Sequence, residues 1–118
     1  MLEDSDVGFA IRRVYFLFDV HSHSERGSHA HKALTQLLVP ISGSFSVDLV
    51  DSYGEKKEFV LNDPLKALLI PPGFWRTLAK FSAGAVCLVL ADELYNENDY
   101  IRDYEEFKEW SRTSHSSH

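Results

Sequence analysis

Short apolar runs recur along this chain at hairpin spacing, with turn residues between them and alternating apolar and polar positions inside them. Residues 10–20, rich in Val, Tyr and Phe, predict a first strand. Residues 29–41 predict a second, longer one, with Pro40 suited to an edge or a bulge. Ser42-Gly43-Ser44 turns the chain into residues 45–50, and Asp51-Ser52-Tyr53-Gly54 reads as a hairpin turn. Strands are then expected over 57–61, 67–70, 74–81 and 85–91, punctuated by Asn62-Asp63-Pro64 and Pro71-Pro72-Gly73. Some seven short strands with regular turns predict an all-β sandwich or barrel. Over 99–110 the period becomes helical: Ile101, Tyr104, Phe107 and Trp110 step by three, which predicts one amphipathic helix. The polar stretch 111–118 reads as a frayed tail, with His115 and His118 as solvated tail residues.

A length of 118 residues suits a single domain with a real core. The formal net charge of −6 argues against a nucleic-acid partner or an anionic membrane surface. The single cysteine, Cys87, excludes an internal disulfide, and its apolar neighbours mark it as a small core residue and not a nucleophile. No signal peptide or transmembrane span is visible, so the cytoplasm is the expected compartment.

The chemistry concentrates in Arg26-Gly27-Ser28-His29-Ala30-His31-Lys32. Two histidines at i and i+2 on a strand share one face. A pair of imidazoles there suits a metal site or acid–base chemistry near neutral pH. His21 and His23, in the polar run before it, are expected to be solvent-exposed.

Gly27-x-His29-x-His31, followed by Gln36 and Gly43, resembles the first signature of the cupin barrels, and Pro71-Pro72-Gly73-Phe74-Trp75-Arg76 resembles the second. The resemblance implies a double-stranded β-helix, or jelly-roll, barrel. Metal-binding cupins take as ligands the two histidines, a Glu and a third His. Here Gln36 stands for the Glu and Arg76 for the third His. A neutral amide is a weak ligand and a guanidinium has no lone pair to give, so no metal is expected unless His21 or His23 is recruited.

A narrower resemblance runs from about residue 9 to 110. It is carried by Ile11-Arg12-Arg13-Val14-Tyr15, the Arg26–Lys32 run, Gln36-Leu37-Leu38-Val39, and Tyr100-Ile101-Arg102-Asp103-Tyr104-Glu105-Glu106-Phe107. In these the chain is similar to the sugar 3,4-ketoisomerases, small cupin-fold enzymes acting on dTDP-4-keto-6-deoxyglucose. The resemblance implies a carbonyl moved from C4 to C3 without redox cofactor or metal, with His29 and His31 as the acid–base residues. The product would feed the biosynthesis of 3-amino-3,6-dideoxy sugars. Arg13 and Arg26 match positions suited to the diphosphate. Gln36 and Arg76, in the places of the missing ligands, are expected to face the substrate. Tyr15 is read as a hydrogen-bond donor to the sugar or a core filler, Trp75 as a stacking partner for thymine or a packing residue, and Tyr100 and Tyr104 as anchors of the helix. A homodimer is also implied. Relatives carry about two strands ahead of the first motif, where this sequence has ten residues before Ile11, so a sheet edge is expected to need cover. The rival expectations are a non-catalytic sugar-nucleotide-binding cupin and an epimerase acting on the same 4-keto sugar.

Overall fold

The computed structural model describes residues 7–116. Nine strands form two antiparallel sheets that face each other around one core, as the all-β jelly-roll reading requires. The first sheet has the order β1-β8-β3-β6, with β1 Arg13–Phe18, β3 Gln36–Ser42, β6 Leu68–Ile70 and β8 Val86–Ala91. The second has the order β5-β4-β7-β2-β9, with β2 Arg26–His31, β4 Phe45–Val50, β5 Lys56–Leu61, β7 Trp75–Ala79 and β9 Tyr100–Ile101. Leu38, Phe45, Val47, Ile70, Leu78, Phe81, Cys87 and Val89 fill the space between the sheets. Cys87 is fully buried there, and burial pushes its thiol up to about 12. No helix among the described residues is long and apolar enough to cross a membrane.

Several boundaries differ from the sequence expectation. The long strand over 29–41 is two strands in different sheets. Between them, Asp99 Oδ1 accepts the Ala33 N–H at 2.8 Å, Asp99 Oδ2 accepts the Leu34 N–H at 3.3 Å, and Asp92 Oδ1 accepts the Thr35 N–H at 2.8 Å. These carboxylates satisfy backbone donors that a continuous strand would have paired in a ladder. Pro40 does lie at a register shift, between Pro40 and Ser42, and β6 pairs only with Gln36 to Leu38, so the missing N–H costs no ladder bond on that side.

The helix also starts later than its period suggests. Residues 97–99 form a 3-10 turn capped by Asn96, whose side chain accepts the Asn98 N–H at 3.1 Å. Tyr100 and Ile101 then pair with His31 and Ala30 as β9. Helix α1, Tyr104–Ser116, begins only after Asp103, whose backbone carbonyl accepts the Phe107 N–H at 2.9 Å. Ile101 contributes to the same apolar cluster as Phe107, with Ala30, Val50 and Trp75, which is why the period reads as unbroken. The helix also continues through 111–116, where a frayed tail was expected, and Ser111 is buried. The side chains of His115 and His118 lie outside the described residues.

Candidate functional site

Strand β2 builds the centre of the site. Gly27, at φ +65°, takes a left-handed conformation that suits glycine, and the register shifts between Arg26 and His29. That bulge sets Arg26 opposite Leu78 and His29 opposite Arg76 on β7. His29 is half-buried and His31 fully buried. Their Nε2 atoms are 3.0 Å apart, and His31 Nδ1 lies 3.2 Å from Asp99 Oδ2. With a carboxylate as acceptor, a neutral His31 carries its proton on Nδ1 and offers a lone pair at Nε2. The neutral His29 then donates from Nε2, which leaves its own Nδ1 lone pair unused by the pair.

Burial, followed by the Arg76 guanidinium, holds both imidazoles down to about 3, and His31 further depresses His29. Both are therefore neutral at neutral pH. Tyr100 packs against the pair, its ring centroid 4.4 Å from that of His31 and 5.0 Å from that of His29. This differs from the helix-anchoring role expected of it. Tyr104 opens the helix itself, its ring centroid 5.3 Å from that of Trp75. Arg102 lies 4.2 Å over the Tyr100 ring and forms a two-armed pair with Glu97, at 2.8 and 2.9 Å.

Arg76 is the second centre. It is 1% exposed, yet no carboxylate among the described residues lies within ion-pair distance of it. Its Nη1 donates to Gln36 Oε1 at 2.5 Å, its Nη2 donates to the Phe74 carbonyl at 3.2 Å, and its Nε has no partner among the described residues. Gln36 in turn donates from Nε2 to the Tyr15 hydroxyl at 3.0 Å. Burial lowers Arg76 to about 10, which still leaves it charged at neutral pH, and burial raises the Tyr15 phenol. The result is a buried positive charge held by neutral dipoles, with two neutral imidazoles beside it. Such a site favours negative charge that arrives with, or develops on, a bound molecule.

Arg13 and Tyr15 alternate along β1 on its inner side, with the Arg13 guanidinium 5.1 Å over the Tyr15 ring. Arg13, His31, Asp99, Asn96, Glu93 and Tyr100 are among the residues lining a cavity of about 200 Å³. His29, His31, Arg13, Tyr15, Gln36 and Arg76 thus come together. Arg26 is exposed at the start of β2 and is not part of this lining. Of the two roles expected for Trp75, the structure shows packing: it sits on the opposite face of β7 from Arg76, under α1 against Tyr104 and Phe107, and is not among the residues lining this cavity. His21 and His23 are exposed and pair with each other, ring centroids 6.0 Å apart, away from His29 and His31. Among the described residues no group of three His, Cys, Asp or Glu side chains is placed to hold a metal ion. Asp99 was not anticipated. It acts on His31 from 68 positions away, and the one signal that touches it is its place directly ahead of the Tyr100-Ile101-Arg102 run.

Comparison with known proteins covers the whole of this fold. A curated TDP-4-oxo-6-deoxy-alpha-D-glucose-3,4-oxoisomerase of Aneurinibacillus thermoaerophilus is 40% identical over 108 residues, covering 92% of this chain and 77% of that protein. The sugar 3,4-ketoisomerase QdtA of Thermoanaerobacterium thermosaccharolyticum, solved in complex with TDP, superposes with a TM-score of 0.92 at 38% identity, over 97% of this chain and 82% of that one. A mutant of that enzyme, solved with TDP-4-keto-6-deoxyglucose, gives a TM-score of 0.91 at 38% identity, over 96% and 81% of the two chains. The family model described as FdtA, WxcM-like, C-terminal matches residues 1–112, and the chain belongs to that family.

Proposed function

We propose that this protein is a TDP-sugar 3,4-ketoisomerase that moves the keto group of TDP-4-keto-6-deoxyglucose from C4 to C3 with His29 and His31 as its acid–base pair. The observation that carries this reading is the buried, carboxylate-free guanidinium of Arg76 opposite two linked, neutral imidazoles. The reaction needs little else. The C4 ketone acidifies the hydrogen on C3, and a base takes that proton as negative charge moves onto the C4 oxygen. The resulting enediol is protonated at C4 while the C3 hydroxyl gives up its proton and becomes the ketone. One proton thus moves between carbons and one between oxygens, so two proton-handling groups suit the task better than one. Positioned acid–base groups contribute about 10²–10⁴-fold in such steps. Arg76 lies where a buried cation stabilises the developing oxyanion, worth about 10²–10³-fold for a preorganised donor.

Arg13 is the cation of the cavity wall, and it suits the diphosphate. The negative charges of that group, once seated, offset Arg13 and Arg76 and raise both imidazoles from about 3 toward the range in which they carry protons at neutral pH. Arg26, exposed at the mouth of β2, and Gln36 and Tyr15, bonded to each other beside Arg76, complete the substrate contacts in this reading.

The homodimer belongs to the same proposal. On the outer face of the first sheet, Val14, Phe16 and Phe18 are half exposed and lie opposite Leu90, Leu88 and Val86 in the register, with Leu37 and Val39 next in the row on β3; Leu90 and Val39 are already buried within the chain, so the open part of the face lies over β1. Three half-exposed apolar side chains in a row on an edge strand suit a partner, and a second copy offers an equally apolar row.

Incubation with TDP-4-keto-6-deoxyglucose in deuterated water, followed by NMR, tests the activity. The expected result is a 3-keto product with deuterium at C4. Binding without exchange would favour the non-catalytic reading, and a product that keeps its C4 ketone with inverted ring carbons would favour the epimerase. His29→Asn and His31→Asn should each lower kcat by at least about 10²-fold, with the circular dichroism spectrum unchanged.

A further inference from the structure

The side chain of Asp99 has three contacts, and two of them are structural: it accepts the N–H groups of Ala33 and Leu34 where the chain crosses between sheets. The third reaches His31 Nδ1 at 3.2 Å. It is the one carboxylate among the described residues within hydrogen-bond distance of either histidine of the pair. A carboxylate can only accept, so this contact fixes where the His31 proton sits, and through the 3.0 Å Nε2–Nε2 contact it fixes His29 as well.

We propose that Asp99 is a positioning residue that holds His31 in its Nδ1–H tautomer and so makes His29, His31 and Asp99 a polarised proton relay. This rests on the ketoisomerase reading above for its catalytic meaning, though not for its tautomer. In the resting state the His29 Nδ1 lone pair is free. When it accepts a proton, His29 becomes an imidazolium. Its Nε2–H bond then breaks as the proton forms a bond to His31 Nε2. His29 returns to neutral, now protonated on Nδ1. His31 becomes the imidazolium, its charge facing the Asp99 carboxylate. The reverse sequence returns the proton. No electron leaves the system: two nitrogen–proton bonds form on the pair, at His29 Nδ1 and His31 Nε2, and one breaks, at His29 Nε2, which balances the one proton taken up. The arrangement places the transferred charge beside the carboxylate that bonds the pair.

The test is Asp99→Asn. The amide keeps an oxygen for the Ala33 N–H, but it turns an N–H toward His31 Nδ1. That donor forces the proton of His31 onto Nε2 and reverses the polarity of the pair. Long-range proton–nitrogen correlation spectra of uniformly labelled protein read the tautomers, with His29→Asn and His31→Asn samples for assignment. In the wild type, His31 should show a protonated Nδ1 and a bare Nε2; in Asp99→Asn the two should exchange. On TDP-4-keto-6-deoxyglucose, kcat should fall by about 10²–10⁴-fold with KM changed by less than about fivefold. A wild-type His31 protonated on Nε2 overturns the proposal even if the variant does not fold. So does a folded variant that keeps the wild-type tautomer or the wild-type kcat. If the wild type turns over no substrate, the ketoisomerase reading falls, while the tautomer spectra still decide the role of Asp99.

Discussion

Arg76 governs the electrostatics of the site. It is buried, charged and bound only by the Gln36 amide and the Phe74 carbonyl, and after burial itself it is the main cause of the low proton affinity of both histidines. That has a consequence for stability. A histidine at about 3 in the folded protein and near 6.5 in the unfolded chain binds its proton only after unfolding over the interval between. Folding stability should therefore be highest above about pH 6.5 and should fall as the pH drops toward 3. Glu97, held down to about 2 from 4.5 by Arg102, adds a loss of the same sign, but only below about 4.5. The range from 6.5 to 5 thus reports the histidines. In Arg76→Met both imidazoles should titrate higher, and the fall in melting temperature across that range should be shallower than in the wild type. An equal slope in the two proteins would mean that Arg76 does not set these values. The histidine pair itself was legible in the sequence, because i and i+2 on a strand share a face. The bonds among Gln36, Arg76 and Tyr15 were not, because residues from three strands meet only through tertiary pairing, although Gln36 and Arg76 had been singled out by the two cupin-like signatures and Tyr15 by the narrower resemblance.

At the scale of elements, the turns were easier to read than the strand ends. Gly43 stands at φ +69°, and a Cβ there would lie 2.9 Å from the Ala85 Cα and 2.5 Å from the Ser82 hydroxyl oxygen. The hydroxyl can rotate away, but the backbone of residue 85 cannot. Gly43→Ala should therefore destabilise the fold by about 1–3 kcal/mol from its backbone conformation alone. The clash with Ala85 adds to that, so the lower end is not expected. A chemical-denaturation midpoint within error of the wild type would show that this turn relaxes freely. The turn was read correctly because its chemistry is local. The break between β2 and β3 and the late start of α1 were misread for the opposite reason. The first depends on Asp92 and Asp99, which take backbone N–H groups more than fifty positions away. The second depends on Tyr100 and Ile101 finding strand partners in β2, a pairing that no local propensity encodes.

At the scale of the molecule, the two faces of β1 have opposite duties. Arg13, Tyr15 and Leu17 point between the sheets, whereas Val14, Phe16 and Phe18 stand outside at 53, 51 and 60% exposure. The alternation was visible in the sequence, but it could not say which face met solvent and which met a partner. If a second copy covers the outer face, Phe16→Glu combined with Phe18→Glu removes four aromatic rings from a two-fold interface. Full burial of one such ring is worth about 1.5–3 kcal/mol. Roughly half of each remains to be buried on association, so the four together amount to about 3–6 kcal/mol, or about two to four decades in the dimer dissociation constant. Sedimentation velocity at micromolar concentration should therefore show the wild type as a dimer and the double variant as a monomer. The variant's histidine resonances should stay unchanged, since the substituted side chains face away from Arg13 and Tyr15. A wild type that sediments as a monomer, or a double variant that remains a dimer, would remove this sheet face from the assembly.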